Sequence, residues 1–181
     1  ALGGEGLPAE VRDTVFALGA ERSPGTRDVL LDTREPGVFV RPADAEIIPP
    51  LSDYAAFWDR ERPFLLLTNG RSRVYHTPDD VPAALAWDKM AATARWLERF
   101  VRATCRRDER PFRFVRAIDD LSTLESLLSV LGPLAEVSPQ ARVGLALARD
   151  LRAQVRRDRT VPSARHAELA MLIAGLESGL A

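Results

Sequence analysis

The hydrophobic pattern of this 181-residue chain changes period near Trp87, and that change governs what the chain can fold into. Before Trp87, apolar residues come in short β-branched or aromatic runs separated by Gly and Pro, which is the pattern of strands and turns. Asp13 to Leu18 and Val38-Phe39-Val40 read as strands. Phe64-Leu65-Leu66-Leu67 is an uninterrupted apolar run, suited to a central strand covered on both faces. Thr26 is placed to cap a helix from Arg27 to about Thr33, which Pro36-Gly37 ends. Pro49-Pro50 forces an extended approach to a second short helix, Tyr54 to Arg60, with Ser52 or Asp53 at its N-cap.

From Trp87 onward the apolar residues recur every three or four positions. Met90, Ala94, Leu97, Val101 and Cys105 form one stripe, the face expected to be buried, while Lys89, Arg95, Arg99 and Arg102 lie opposite. Pro111 stops this helix. Three more are expected: one carrying Leu121, Leu124, Leu128 and Leu131 and ending at Gly132-Pro133; one after Ser138-Pro139 carrying Val143, Leu147, Leu151 and Val155; and one from Pro162-Ser163 carrying Leu169, Ile173, Leu176 and Leu180. The pattern therefore predicts an α/β part over residues 1–107 and an α-helical extension over residues 108–181.

Composition removes several function classes. A formal net charge of −1 gives no basic surplus for nucleic acid. No apolar run approaches the ~18 to 20 residues that cross a bilayer. Cys105 is the sole cysteine, so no internal disulfide forms. The stretch Ala1 to Gly6 has neither the basic start nor the apolar core of an export signal, and it lacks an initiating Met. On this basis the chain is expected to be part of a longer gene product, and its compartment is left open.

Two histidines are present. His166 falls in a predicted helix between Arg165 and Glu168 and reads as an ordinary surface or packing residue. His76 falls in the loop after the Phe64 to Leu67 strand, where α/β folds place their sites. Tyr75 precedes it, and Asp79 and Asp80 follow. A neutral imidazole is a good zinc ligand, and a nearby carboxylate such as Asp80, or Asp79, can fix its tautomer. A tyrosine hydroxyl beside a metal can donate to a developing oxyanion.

The stretch Pro63 to Leu67, then Tyr75-His76-Thr77-Pro78-Asp79-Asp80, then Leu85 and the helix from Trp87, resembles the end of the co-catalytic zinc aminopeptidase family. That family includes bacterial leucyl aminopeptidase, aminopeptidase Y, glutamate carboxypeptidases and glutaminyl cyclases. Leu51 to Phe57 is similar to its Ser-Asp-His, two residues, Phe pattern, with Tyr54 in place of the histidine; Val81 stands where threonine is usual. Thr14 to Thr26 is similar to the preceding strand and turn. The resemblance covers about residues 1 to 105 and implies a mixed sheet between helices, with the metal site at the strand ends. It gives His76 the role of ligand to one of two zinc ions and Tyr75 that of polarising the scissile carbonyl. Asp53 and Ser52 become supports beside the metals.

The family's remaining ligands do not occur in this sequence. There is no Glu-Glu pair, which would supply a ligand and the general base, and no histidine precedes His76. Ala1-Leu2-Gly3 resembles the residues just after the family's last upstream aspartate. The expectation is thus the C-terminal portion of a peptide-hydrolysing metallo-aminopeptidase, inactive alone and completed by an N-terminal segment or another chain. A non-catalytic, partner-binding domain of the same fold and a glutaminyl cyclase-like transferase are the alternatives.

Overall fold

The structure is a computed structural model that describes residues 6–47, 52–70, 74–107 and 112–179, without the side chains of Ile47 and residues 176–179. Pro49-Pro50, Leu51, Pro111 and the terminal Ala1-Leu2-Gly3 and Leu180 lie outside the described residues, as does the side chain of Leu176.

The elements in order are α1 (Ala9–Arg12), β1 (Thr14–Leu18), α2 (Pro24–Asp32), β2 (Phe39–Ala43), α3 (Tyr54–Asp59), β3 (Leu66–Thr68), α4 (Trp87–Cys105), α5 (Asp120–Val137), α6 (Pro139–Ala153) and α7 (His166–Gly179). The three strands form a small mixed sheet in the order β2-β1-β3, with β1 parallel to β2 and antiparallel to β3. An α/β fold with flanking helices and further helices at its C-terminal end is therefore observed.

Strand periodicity sends alternate β1 side chains to opposite faces. Val15 and Ala17 face α2 and α4, packing with Val29, Leu30, Trp96 and Phe100. Thr14, Phe16 and Leu18 face the other way; Phe16 reaches the helical cluster built around Leu124, Leu127 and Val11, and Leu18 packs with Ala43 and Ala45. Trp96 is fully buried, and its indole N–H donates to the Thr33 carbonyl at 3.2 Å. Truncations of such core aromatics cost about 3–5 kcal/mol.

The helical extension over residues 108–181 is tied to the sheet. Ser126 Oγ donates to the Pro42 carbonyl at 2.6 Å, the Asp44 amide donates to Thr123 Oγ1 at 3.0 Å, and the Val115 amide to the Arg22 carbonyl at 2.7 Å. α5 thus covers the second face of the sheet, and α6 and α7 pack outward from it.

Four expectations about helices need correction. α2 begins at Pro24, not Arg27, because Pro at the first helical position is already set for helical φ. α5 continues through Gly132-Pro133 to Val137. Proline costs the helix one amide bond to Ser129, and the missing Cβ of Gly132 eases the clash that proline imposes on its predecessor; burial of Leu131, Leu134 and Ala135 holds the last turns. On α6 the buried residues are Ala141, Ala148 and Leu151, whereas Val143 faces solvent.

α4 is the fourth. Its buried face is Lys89, Ala92, Trp96 and Phe100, and the predicted stripe of Met90, Ala94, Leu97, Val101 and Cys105 is exposed. Lys89, expected on the solvent face, donates from Nζ to the Arg12 carbonyl at 2.9 Å; burial pushes its pKa down to about 8, against the opposing pull of Asp13. The helix carries two apolar faces, and the one with the two large aromatics goes inward. The predicted doubly covered strand also differs: Phe64 to Thr68 are each only half-buried.

Gly19 closes β1 at φ +92, and a Cβ built there would lie 2.4 Å from the Phe64 ring. Only glycine meets both demands without strain. Gly19→Ala is expected to lose at least about 2 kcal/mol of stability in urea unfolding; a loss below about 0.5 kcal/mol would show that Phe64 does not pack over this turn.

Candidate functional site

β3 leads through Asn69-Gly70 into the loop that carries Tyr75 and His76. The loop is a series of tight turns. The Thr77 amide donates to the Val74 carbonyl at 2.9 Å and the Thr77 hydroxyl to the same carbonyl at 2.7 Å; the Asp80 amide returns to the Thr77 carbonyl at 3.1 Å. His76 adopts the left-handed conformation, φ +61, which few non-glycine residues adopt. The turn lays its imidazole against the Tyr75 ring, with centroids 3.9 Å apart and planes 18° from parallel. Both side chains are exposed, Tyr75 by 52%.

The other expected site residues are not gathered onto this pair. Asp80 is exposed and no hydrogen bond joins it, or Asp79, to the imidazole among the described residues. Ser52 and Asp53 are exposed at the start of α3, where Asp53 holds the N-cap position without a side-chain capping bond. α3 itself is fixed by aromatic packing: Tyr54, at the variant position of the Ser-Asp-His pattern, stacks on Phe64 at 5.2 Å, and Trp58 packs against Phe64 and Phe114. No group of three or more His, Cys, Asp or Glu side chains capable of holding a metal occurs among the described residues. The donor set of these residues therefore does not by itself fit a zinc ion, which needs three or four protein ligands.

Two polar clusters lie elsewhere. At the ends of the parallel strands, Glu21 is buried, and its carboxylate accepts the Gly19 amide at 2.8 Å and the Ala45 amide at 3.0 Å. Burial, helped by the Asp44 charge, raises its pKa to about 7, with the Ala45 amide, its own backbone amide and Arg22 pulling the other way. Arg22 donates to Glu46 at 2.6 Å and to the Arg116 carbonyl at 2.7 Å, and its guanidinium covers the Trp58 ring.

The second cluster starts α5. Asp119 accepts from the Ser122 amide and hydroxyl, from Arg159 at 2.9 Å and from Arg27. Burial pushes this carboxyl up, but those donors outweigh it and hold it below the usual range. Asp120 accepts the Val161 amide at 2.8 Å and lies 3.3 Å from His166 Nε2. This approach lies between the start of α7 and the start of α5, and Nε2, though buried, makes no hydrogen bond among the described residues. Neither cluster was singled out in the sequence. The available signals were an acid just past a buried strand for Glu21, and an aspartate preceding an apolar helix for Asp119.

Among the described residues no helix is long and apolar enough to cross a membrane. Comparison of the chain with protein families, with curated proteins and with solved structures gives no match.

The buried Glu21 makes stability depend on pH. Its folded pKa lies above its ordinary value of 4.5, so the fold binds more protons than the unfolded chain between pH 4.5 and about 7. Its contribution is complete below 4.5 and is lost as pH rises through 7. Glu21→Gln is expected to flatten the fall in stability across that window in urea titrations; an unchanged slope would assign the pH dependence to other groups.

Proposed function

We propose that this chain is the C-terminal portion of a zinc-dependent metallo-aminopeptidase, hydrolysing N-terminal peptide bonds once its remaining ligands are supplied. His76 serves as the donor to one of two zinc ions. Tyr75 places its hydroxyl to donate to the carbonyl oxygen of the bond being cleaved. Asp53, Ser52 and Asp80 take the supporting roles that the resemblance implies, and the general-base glutamate comes from outside residues 1–181. The bound metals would supply Lewis-acid activation of water and carbonyl.

The observation that carries this reading is the stacked Tyr75–His76 pair, displayed on an exposed loop after β3 with its histidine at positive φ. Sparsely populated backbone conformations are concentrated at functional sites. The two ring planes lie 18° from parallel, so the Tyr75 ring flanks the imidazole that would hold the ion. The half-burial of Phe64 to Thr68, a run apolar enough for full cover, supports further structure beside β3.

A second reading, a partner-binding domain of the same fold without catalysis, is favoured by one finding: the described acids do not converge on His76. Metal binding separates the two. Residues 1–181 alone are expected to bind zinc weakly and to turn over no aminoacyl p-nitroanilide. Once joined to the ligand-bearing segment, the protein is expected to bind two zinc ions and hydrolyse that substrate. There His76→Ala removes one zinc, and Tyr75→Phe lowers kcat by roughly 10- to 1,000-fold. Tight stoichiometric zinc or turnover by residues 1–181, or undiminished activity of His76→Ala, would overturn the peptidase reading.

A further inference from the structure

A groove of about 320 Å³ runs along the outer edge of β2, between the end of α2 and the start of α5. Its size is that of a small-molecule site. β2 supplies the floor. The Phe39 amide points inward to the Asp13 carbonyl at 2.9 Å, so Val40 and Pro42 present their backbone groups outward, on the groove side. No hydrogen bond to the Val40 amide occurs among the described residues. A further strand finds no ladder here. Pro42 has no N–H, its carbonyl accepts Ser126 Oγ, and Val38 is bridged back to Glu35. One backbone donor in a walled groove suits a small molecule, not an extended chain.

Three arginines line the groove: Arg34 after α2, Arg41 on β2 and Arg159 between α6 and α7. The acids around them are already engaged. Asp119 accepts from Arg159 at 2.9 Å and from Arg27, and Glu125, the acid in the lining, lies 3.4 Å from Arg152. Among the described residues Arg34 and Arg41 bond only to uncharged oxygens. Arg34 Nη1 donates to the Thr33 carbonyl at 3.3 Å; Arg41 donates from Nε to Thr14 Oγ1 at 3.1 Å and from Nη2 to the Glu10 carbonyl at 3.4 Å. Arg41 is half-buried over the Phe39 ring, 5.3 Å from its centroid. Burial works against its charge, and the Glu10 charge offsets only part of that. The groove thus has two cations without a counter-ion and, beside them, apolar surface: Leu31 is 42% exposed and Phe39 40%. Arg159 is held at φ +70, and its carbonyl accepts the Leu121 amide at 3.1 Å, which fixes its backbone against α5.

We infer that this groove binds a small organic anion, a carboxylate or phosphate monoester on a short apolar body. Arg34 and Arg41 hold the charged group, the Val40 amide donates to it, and Leu31 and Phe39 cover the body. Guanidinium forks match the paired oxygens of both head groups. The groove contains none of the residues assigned to the peptidase site, so the inference is independent of that reading.

Titration of residues 1–181 with phenyl phosphate and with 3-phenylpropionate, followed through amide NMR shifts, tests this. At least one is expected to bind saturably and to move the Val40 amide, and the tighter of the two identifies the head group. Inorganic phosphate is expected to bind at least about tenfold more weakly, because it leaves Leu31 and Phe39 uncovered. Arg34→Gln is expected to weaken binding roughly tenfold while shifting Tm by less than about 2 °C. Arg106→Gln, outside the groove, is expected to leave binding unchanged. Absence of saturable binding of both organic probes below about 10 mM would overturn the proposal. So would inorganic phosphate binding as tightly as the better organic probe, or Arg34→Gln binding like the parent chain, either of which would reduce the groove to general surface charge.

Discussion

β1 is the constraint on which the rest depends. It is the one strand with a hydrogen-bonded neighbour on each side among the described residues, and its alternating side chains enter two different cores. Val15 and Ala17 fix where α2 and α4 rest; Phe16 and Leu18 fix where α5 and the α3 aromatics rest. A register slip of one residue would exchange these sets. The turn at its end is equally restricted, since Gly19 must accept both a positive φ and the Phe64 ring. From that turn Glu21 reaches back to the Gly19 amide and across to Ala45, joining the ends of the parallel strands with a single buried carboxylate.

This arrangement separates a rigid frame from a displayed loop. In the frame's polar clusters the carboxylates of Glu21 and Asp119 accept from backbone amides and, at Asp119, from arginines, while Arg22 Nε and His166 Nε2 are buried without a hydrogen-bond partner among the described residues. Tyr75 and His76 differ. Their loop is held by bonds among Val74, Thr77 and Asp80, while the two rings touch chiefly each other and solvent.

Strands were legible in the sequence wherever β-branched and aromatic residues stood between turn residues; β1 is the clearest case. Helix faces were less legible. On α4, Met90, Leu97 and Val101 repeat as regularly as Ala92, Trp96 and Phe100, and periodicity alone does not rank two apolar stripes. Area does: Trp and Phe bury far more surface than the competing Leu and Val. Lys89 went inward with them because the Arg12 carbonyl was within reach of its ammonium. The continuation of α5 through Pro133 was hidden for a related reason, since tertiary burial of Leu134 and Ala135 outweighs a local breaker. The Tyr75-His76 motif could be read as a motif, but the position of Asp53 and Asp80 relative to it could not, because turn geometry rather than spacing sets that.

The uneven finish of the molecule is itself informative. Pro42, without an N–H and with its carbonyl taken by Ser126, closes β2 to a further strand, whereas among the described residues no strand pairs with the outer edge of β3, and Met90, Leu97 and Val101 of α4 are exposed. The two exposed features are of different kinds: a single outward backbone position, Leu67, and the side-chain area of Met90, Leu97 and Val101.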